Sequence, residues 1–178
     1  PGVLLSPTGP GDVVSAEALD DLEARVDAWF RLQAQVNPMV DAVERGEPAQ
    51  RRWYVRVLGD QKDTFTIWFT LGQRTLRYET YVMPAPEENH ADFYRHLLVR
   101  NPGLRGWSFG VGDESAVFLT GSLGVESLAD DDRLDAELDR VLHTPEGPDG
   151  AEQLADGLSS LDRLVASRAR SASRRISI

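Results

Sequence analysis

Two hydrophobic periods alternate along the chain. From Ser15 onward, Leu19, Leu22, Val26, Trp29 and Phe30 recur at helical spacing and make one apolar stripe. Ser15 is a suitable N-cap, and Glu17, Asp20 and Asp21 sit in or near the first turn, where the helix dipole favours negative charge. Asn37-Pro38 ends or kinks this helix, because proline disfavours helical geometry in the residue before it. Met39, Val40 and Val43 then predict a second short helical piece that stops near Gly46 and Pro48.

Beyond residue 51 the period becomes two. Trp53, Val55 and Val57 alternate with Tyr54, Arg56 and Leu58. After the turn DQKD, Phe65, Ile67, Phe69 and Leu71 alternate with threonines and Trp68. After GQR, Leu76, Tyr78 and Val82 share a face. Three such runs, broken by short polar loops, predict a meander of antiparallel hairpins. A helix over 87–100 follows, with Glu87 and Glu88 at its start, Phe93, Leu97 and Leu98 as its stripe, and Pro102-Gly103 as its stop. Trp107, Phe109 and Val111, then Val117, Leu119 and Leu123, mark two more strands joined by the turn GDES. Ser127 caps a last helix, with Asp130 completing a capping box, and Leu128, Leu134, Leu138 and Leu142 lie on it. The order α-β-β-β-α-β-β-α has no βαβ alternation. It predicts an α+β fold with a mainly antiparallel five-stranded sheet packed by helices.

The ends lack these patterns. Residues 1–14 read as a mobile leader, 15–142 as one α+β domain, 143–157 as a linker built on HTPEGPDG, and 158–178 as a helical or disordered basic tail. Leu154, Leu158, Leu161, Leu164 and Val165 do recur at helical spacing near the start of that tail. The SRARSASRRISI that follows has too few apolar residues to order itself by packing.

Charge sharpens this division. The net charge of the 178 residues is −10, yet from Arg163 to the end there are five arginines and no acidic residue. Removing that +5 leaves −15 for residues 1–162. An acidic body repels phosphates and anionic lipid, so nucleic acid and membrane are poor partners for the main domain. No apolar run approaches the roughly 20 residues that span a bilayer, so no membrane insertion is expected. There is no cysteine, hence no disulfide, thiolate zinc site or cysteine nucleophile, and a cytoplasmic location is expected. One lysine against eighteen arginines, with abundant Ala, Gly, Asp and Val, reads as GC-rich coding such as an actinobacterium has.

The stretch RWYVRVLGDQKDTFTIWFTLGQRTLRYETYVMPAPEENHADFYRHLLVRN resembles the YbjN-type proteins, particularly their actinobacterial branch. The resemblance covers roughly residues 51–142. Its most specific piece is YVMPAPEENHADFYRHLLVRNPGLRGWSFGVG. It implies a fold similar to that of type III secretion chaperones, which are small acidic dimers that hold partner segments. It also implies a role as a bacterial sensory transduction regulator, with no catalytic residues. After Leu142 the sequence departs from the family pattern, in which the last helix continues with large apolar and aromatic residues.

The side chains offer little for catalysis. There are three histidines, no G-x-S-x-G and no serine framed beside a histidine. Glu87 and His90 with a distant group could make a metal site, but the histidine spacing is not that of a zinc helix. Gly106, Gly110 and Gly112 do not form a phosphate loop, and Asp130, Asp131 and Asp132 read as a solvated helix start. No cofactor and no metal are expected. The outer face of the sheet is more informative. Alternation that turns Phe65, Ile67 and Phe69 toward the helices turns Tyr54, Arg56, Leu58, Trp68, Arg77, Tyr81, Met83 and Phe118 away from them. A solvated face should be mostly polar, whereas aromatics, Met and Arg are the residues enriched in interface cores. This predicts a non-enzymatic protein-binding module, chaperone-like or regulatory and homodimeric. The alternative is a small-ligand sensor or enzyme with a pocket between the 87–100 helix and the sheet, using Glu88 and His90.

Overall fold

The computed structural model describes residues 15–47, 49–58 and 64–143. The leader, the tail and the DQKD turn of the sequence reading lie outside the described residues, as does the linker except for His143.

Helix α1 (Ala16–Val36) begins at Ser15, whose Oγ accepts from the Ala18 amide at 3.2 Å. It buries Leu19, Leu22, Val26, Trp29 and Phe30, the stripe expected from the sequence. Asn37 ends it: its side-chain oxygen accepts from the Met39 amide at 3.0 Å, and its amide nitrogen donates to Gln33 Oε1 at 3.1 Å. This turn feeds an extended segment rather than a second helix. Val40–Arg45 is a strand, β1, so the sheet has six strands and not five. A register shift between Val40 and Ala42 breaks the alternation that would have marked it as a strand.

The meander follows as β2 (Arg52–Leu58), β3 (Thr64–Leu71) and β4 (Thr75–Met83). Helix α2 (His90–Arg100) leads through a 3-10 turn, Asn101–Gly103, to β5 (Ser108–Val111) and β6 (Val117–Gly124). Helix α3 (Asp131–His143) closes the described chain. Its cap differs in detail from the expected capping box. Asp130 accepts from the Arg133 amide at 2.9 Å, whereas the Ser127 hydroxyl donates to the Gly124 carbonyl within a preceding 3-10 turn, Val125–Leu128.

All strand pairs are antiparallel, in the spatial order β1-β2-β3-β4-β6-β5. The inner face carries Trp53, Val55, Val57, Ile67, Phe69, Leu76, Tyr78, Val117 and Leu119, all essentially buried. With the apolar stripes of the three helices they form one continuous cluster. Phe30 lies at its centre, with ring centroids 4.8 Å from Phe69 and 5.8 Å from Trp53. Removing a side chain of this size from water contributes about 1.5–3 kcal/mol before entropy is counted. Two indole groups fix α1 over the sheet and beside α3: Trp53 Nε1 donates to Asp27 at 3.0 Å, and Trp29 Nε1 donates to Asp135 at 2.7 Å.

Candidate partner-binding face of the sheet

The ladder registers define the face opposite this core. Tyr54 pairs with Trp68, and Trp68 with Glu79. Tyr81 pairs with Phe118. Residues directly opposite each other across a ladder share a face, so Tyr54, Trp68, Tyr81 and Phe118 stand on one surface. Their rings form a connected ridge across the sheet. Tyr54 lies edge-on to Trp68 at 6.5 Å, Trp68 is 6.1 Å from Phe118, and Phe118 is edge-on to Tyr81 at 5.7 Å. Such geometries stabilise each pair by about 0.5–1.5 kcal/mol beyond area burial. Tyr54, Trp68 and Phe118 are therefore half-buried by one another, and Tyr81 is 48% exposed at the end of the ridge. Phe118 can lie flat there because Gly112 has no side chain; a Cβ at 112 would stand 2.7 Å from its ring.

Charged residues flank the ridge. Arg56 pairs with Asp41 at 3.3 Å and with Glu44 at 3.9 Å, both from the edge strand β1. On the other flank runs the row Arg52, Thr70, Arg77 and Ser122. Arg52 Nε donates to Thr70 Oγ1 at 3.1 Å, while Arg77 is exposed and makes no ion pair among the described residues.

One expected member of the face sits elsewhere. A register shift between Tyr81 and Met83 pairs Met83 with Val117, a fully buried residue, and Met83 packs against the core. A bulge reverses the facing of whatever follows it, so Met83 leaves the outer surface. Leu58, opposite Thr64, remains on it and is half-buried.

Glu88 and His90 of the alternative pocket lie at the start of α2, where Asn89 adopts a left-handed conformation with φ 56°. Both are exposed, and His90 packs edge-on against Tyr94 with centroids 6.2 Å apart. Among the described residues no group of three or more His, Asp or Glu could hold a metal ion. His96, one turn before the end of α2, accepts from Arg100 Nε at 3.0 Å. Partial burial, reinforced by the Arg100 charge, holds this imidazole below the usual histidine range.

Sequence reasoning missed the clamp on β5. The Asn101 side chain donates to the Phe109 carbonyl at 3.2 Å and accepts from the Phe109 amide at 2.7 Å, as a neighbouring strand would. Its only trace in the sequence is an asparagine just before Pro102-Gly103.

A family model described as "Putative bacterial sensory transduction regulator", YbjN, matches residues 31–147. The chain belongs to the YbjN family. Its match covers both edges of the sheet and all four ridge aromatics. Among curated relatives, uncharacterised proteins of Mycobacterium bovis and Mycobacterium tuberculosis (Mb0497 and Rv0487) are each 32% identical over 88 residues, covering 49% of this chain and 48% of theirs. ML2442, an uncharacterised protein of Mycobacterium leprae, is 30% identical over 95 residues, covering 53% of this chain and 51% of its own. The chain thus spans about half the length of the curated relatives it matches. These mycobacterial relatives agree with the actinobacterial character of the composition.

Proposed function

We propose that this YbjN-family chain is a non-catalytic regulatory module that binds another protein through the outer face of its sheet. The observation that carries the reading is the aromatic ridge Tyr54–Trp68–Phe118–Tyr81, set on the face opposite the helices. A monomer gains nothing in solubility from a row of large rings there, and a partner that covered them would recover their burial energy. Arg77 beside the ridge is available to a carboxylate, which suits an apolar segment with an acidic flank. The family description as a regulator supports the same class of function.

Trp68→Asp tests this directly. Lysate capture followed by mass spectrometry should recover a protein with the natural chain that the variant binds at least thirtyfold more weakly, equivalent to about 2 kcal/mol, the scale of a central aromatic anchor. The melting curve of the variant should match that of the natural chain. If sedimentation shows instead that the variant loses a dimer, the occupant is a second copy. Unfolding of the variant would make the ridge part of the core and end the proposal, as would undiminished capture.

A further inference from the structure

Beside the aromatic ridge, the row Arg52, Thr70, Arg77 and Ser122 crosses β2, β3, β4 and β6, each residue directly opposite the next. Neighbouring strands stand about 4.7–4.9 Å apart, so the Arg52 and Arg77 backbones are separated by about 9–10 Å with Thr70 between them. Two arginine side chains at that separation can converge over Thr70. Arg52 Nε donates to Thr70 Oγ1 at 3.1 Å, which leaves the Arg52 Nη groups and the Thr70 hydroxyl proton to serve a ligand. Neither arginine makes an ion pair among the described residues. Gly46, whose amide donates to the Arg52 carbonyl at 2.8 Å, puts no side chain over that end of the row. On a chain of net charge −10, two adjacent cations without a carboxylate partner mark a place where negative charge comes from outside.

We propose that this row grips a phosphate group carried by a serine, threonine or tyrosine of the segment that covers the ridge, an inference that rests on the protein-binding reading above. Two guanidinium charges match the charge of about −1.5 to −2 on a phosphorylated side chain, where a carboxylate would bring only one. The planar forks of Arg52 and Arg77 and the hydroxyls of Thr70 and Ser122 are all donors, and the three phosphate oxygens accept. Glu79 lies one row away, between Trp68 and Thr120, and confines a dianion to the arginine row. A second copy of the chain fits the face poorly. Stacked on Trp68 about a two-fold axis along the strands, it would set Arg52 against Arg77; about an axis across them, Arg52 against Arg56. A nucleic acid would bring a phosphate with every nucleotide against an acidic body.

Phenyl phosphate, which joins one ring to one phosphate, is the probe. Titrated into the full chain and followed by NMR of the arginine Nε–H groups, it should shift Arg52 and Arg77 saturably. Benzoate, with the same ring and a single carboxylate, should bind at least about fivefold more weakly. Arg77→Gln should weaken phenyl phosphate binding roughly tenfold through loss of one charge-assisted contact. Its melting curve should not change, because Arg77 is exposed. Equal binding of the two probes, or an Arg77→Gln variant that binds as the natural chain does, would overturn the proposal. Treating the lysate with a phosphatase before capture should reduce recovery of the partner at least about tenfold. Capture that ignores the phosphatase yet still needs Trp68 would overturn the phosphate and leave the ridge standing. Capture that falls with the phosphatase and with Arg77→Gln, yet ignores Trp68→Asp, would keep the phosphate and end the ridge reading.

Discussion

Tyr78 reaches the backbone of Gly106 across space that its ladder neighbour leaves empty. Gly121 pairs with Tyr78, and a Cβ at 121 would stand 2.4 Å from the tyrosine ring and 2.3 Å from the Gly106 carbonyl oxygen. In that gap the Tyr78 hydroxyl donates to the Gly106 carbonyl at 2.5 Å, and its ring meets Trp107 edge-on at 4.6 Å. Burial raises the Tyr78 pKa above its ordinary value, against the opposing pull of Arg140, so the hydroxyl keeps its proton and remains a donor. Gly106 itself has φ 76°, the left-handed region that other residues enter at a cost. Gly121→Ala should therefore destabilise the fold by about 1–3 kcal/mol or more through overpacking, seen as a lower melting temperature. An unchanged melt would show that the ring can move aside freely. The facing of Tyr54, Trp68, Tyr81 and Phe118 was legible from alternation alone, because a strand has period two. Met83 was not, because a bulge between Tyr81 and Met83 leaves no mark in composition.

Among the secondary elements, the two edges of the sheet are handled differently. At β5 the Asn101 side chain occupies both hydrogen-bonding groups of Phe109 and blocks pairing with another strand there. Asn101→Ala should speed amide exchange at Phe109 and cost about 1–3 kcal/mol for the groups left unpaired. Unaltered protection of that amide, read by hydrogen-exchange NMR, would show that water replaces the clamp without loss. At β1 no side-chain clamp of this kind occurs among the described residues, and Arg45 instead turns back to Glu23 and Asp27 of α1 with its guanidinium 4.5 Å from the Trp53 ring centroid. The long strands β2 to β4 were legible because their periods run over seven to nine residues. The six-residue β1 is hidden in the sequence because Met39, Val40 and Val43 fit a helical spacing and its bulge removes the alternation. The start of α2 fell three residues later than Glu87, since left-handed Asn89 delays the helix.

Taken whole, the molecule separates a packed side from an aromatic side. Hydrophobic periodicity reveals that separation, but the ordering of strands and the α1–α3 contact depend on long-range pairing that no local pattern encodes. Four of the five strand pairs join neighbours in sequence; only β4–β6 steps across α2 and β5. The contact of α1 with α3 joins residues 106 apart. Loop closure makes such distant contacts slow to form. Assembly is therefore expected to begin in the β2–β4 meander and to finish when α3 settles against α1. Run in reverse, the same order makes α3 the first element to open under mild denaturant. Native-state hydrogen exchange should find its amides protected by a smaller opening free energy than those of β3. Equal protection in both would mean that the parallel helix pair and the meander melt as one unit, and that the molecule has a single breaking point where its topology provides for two.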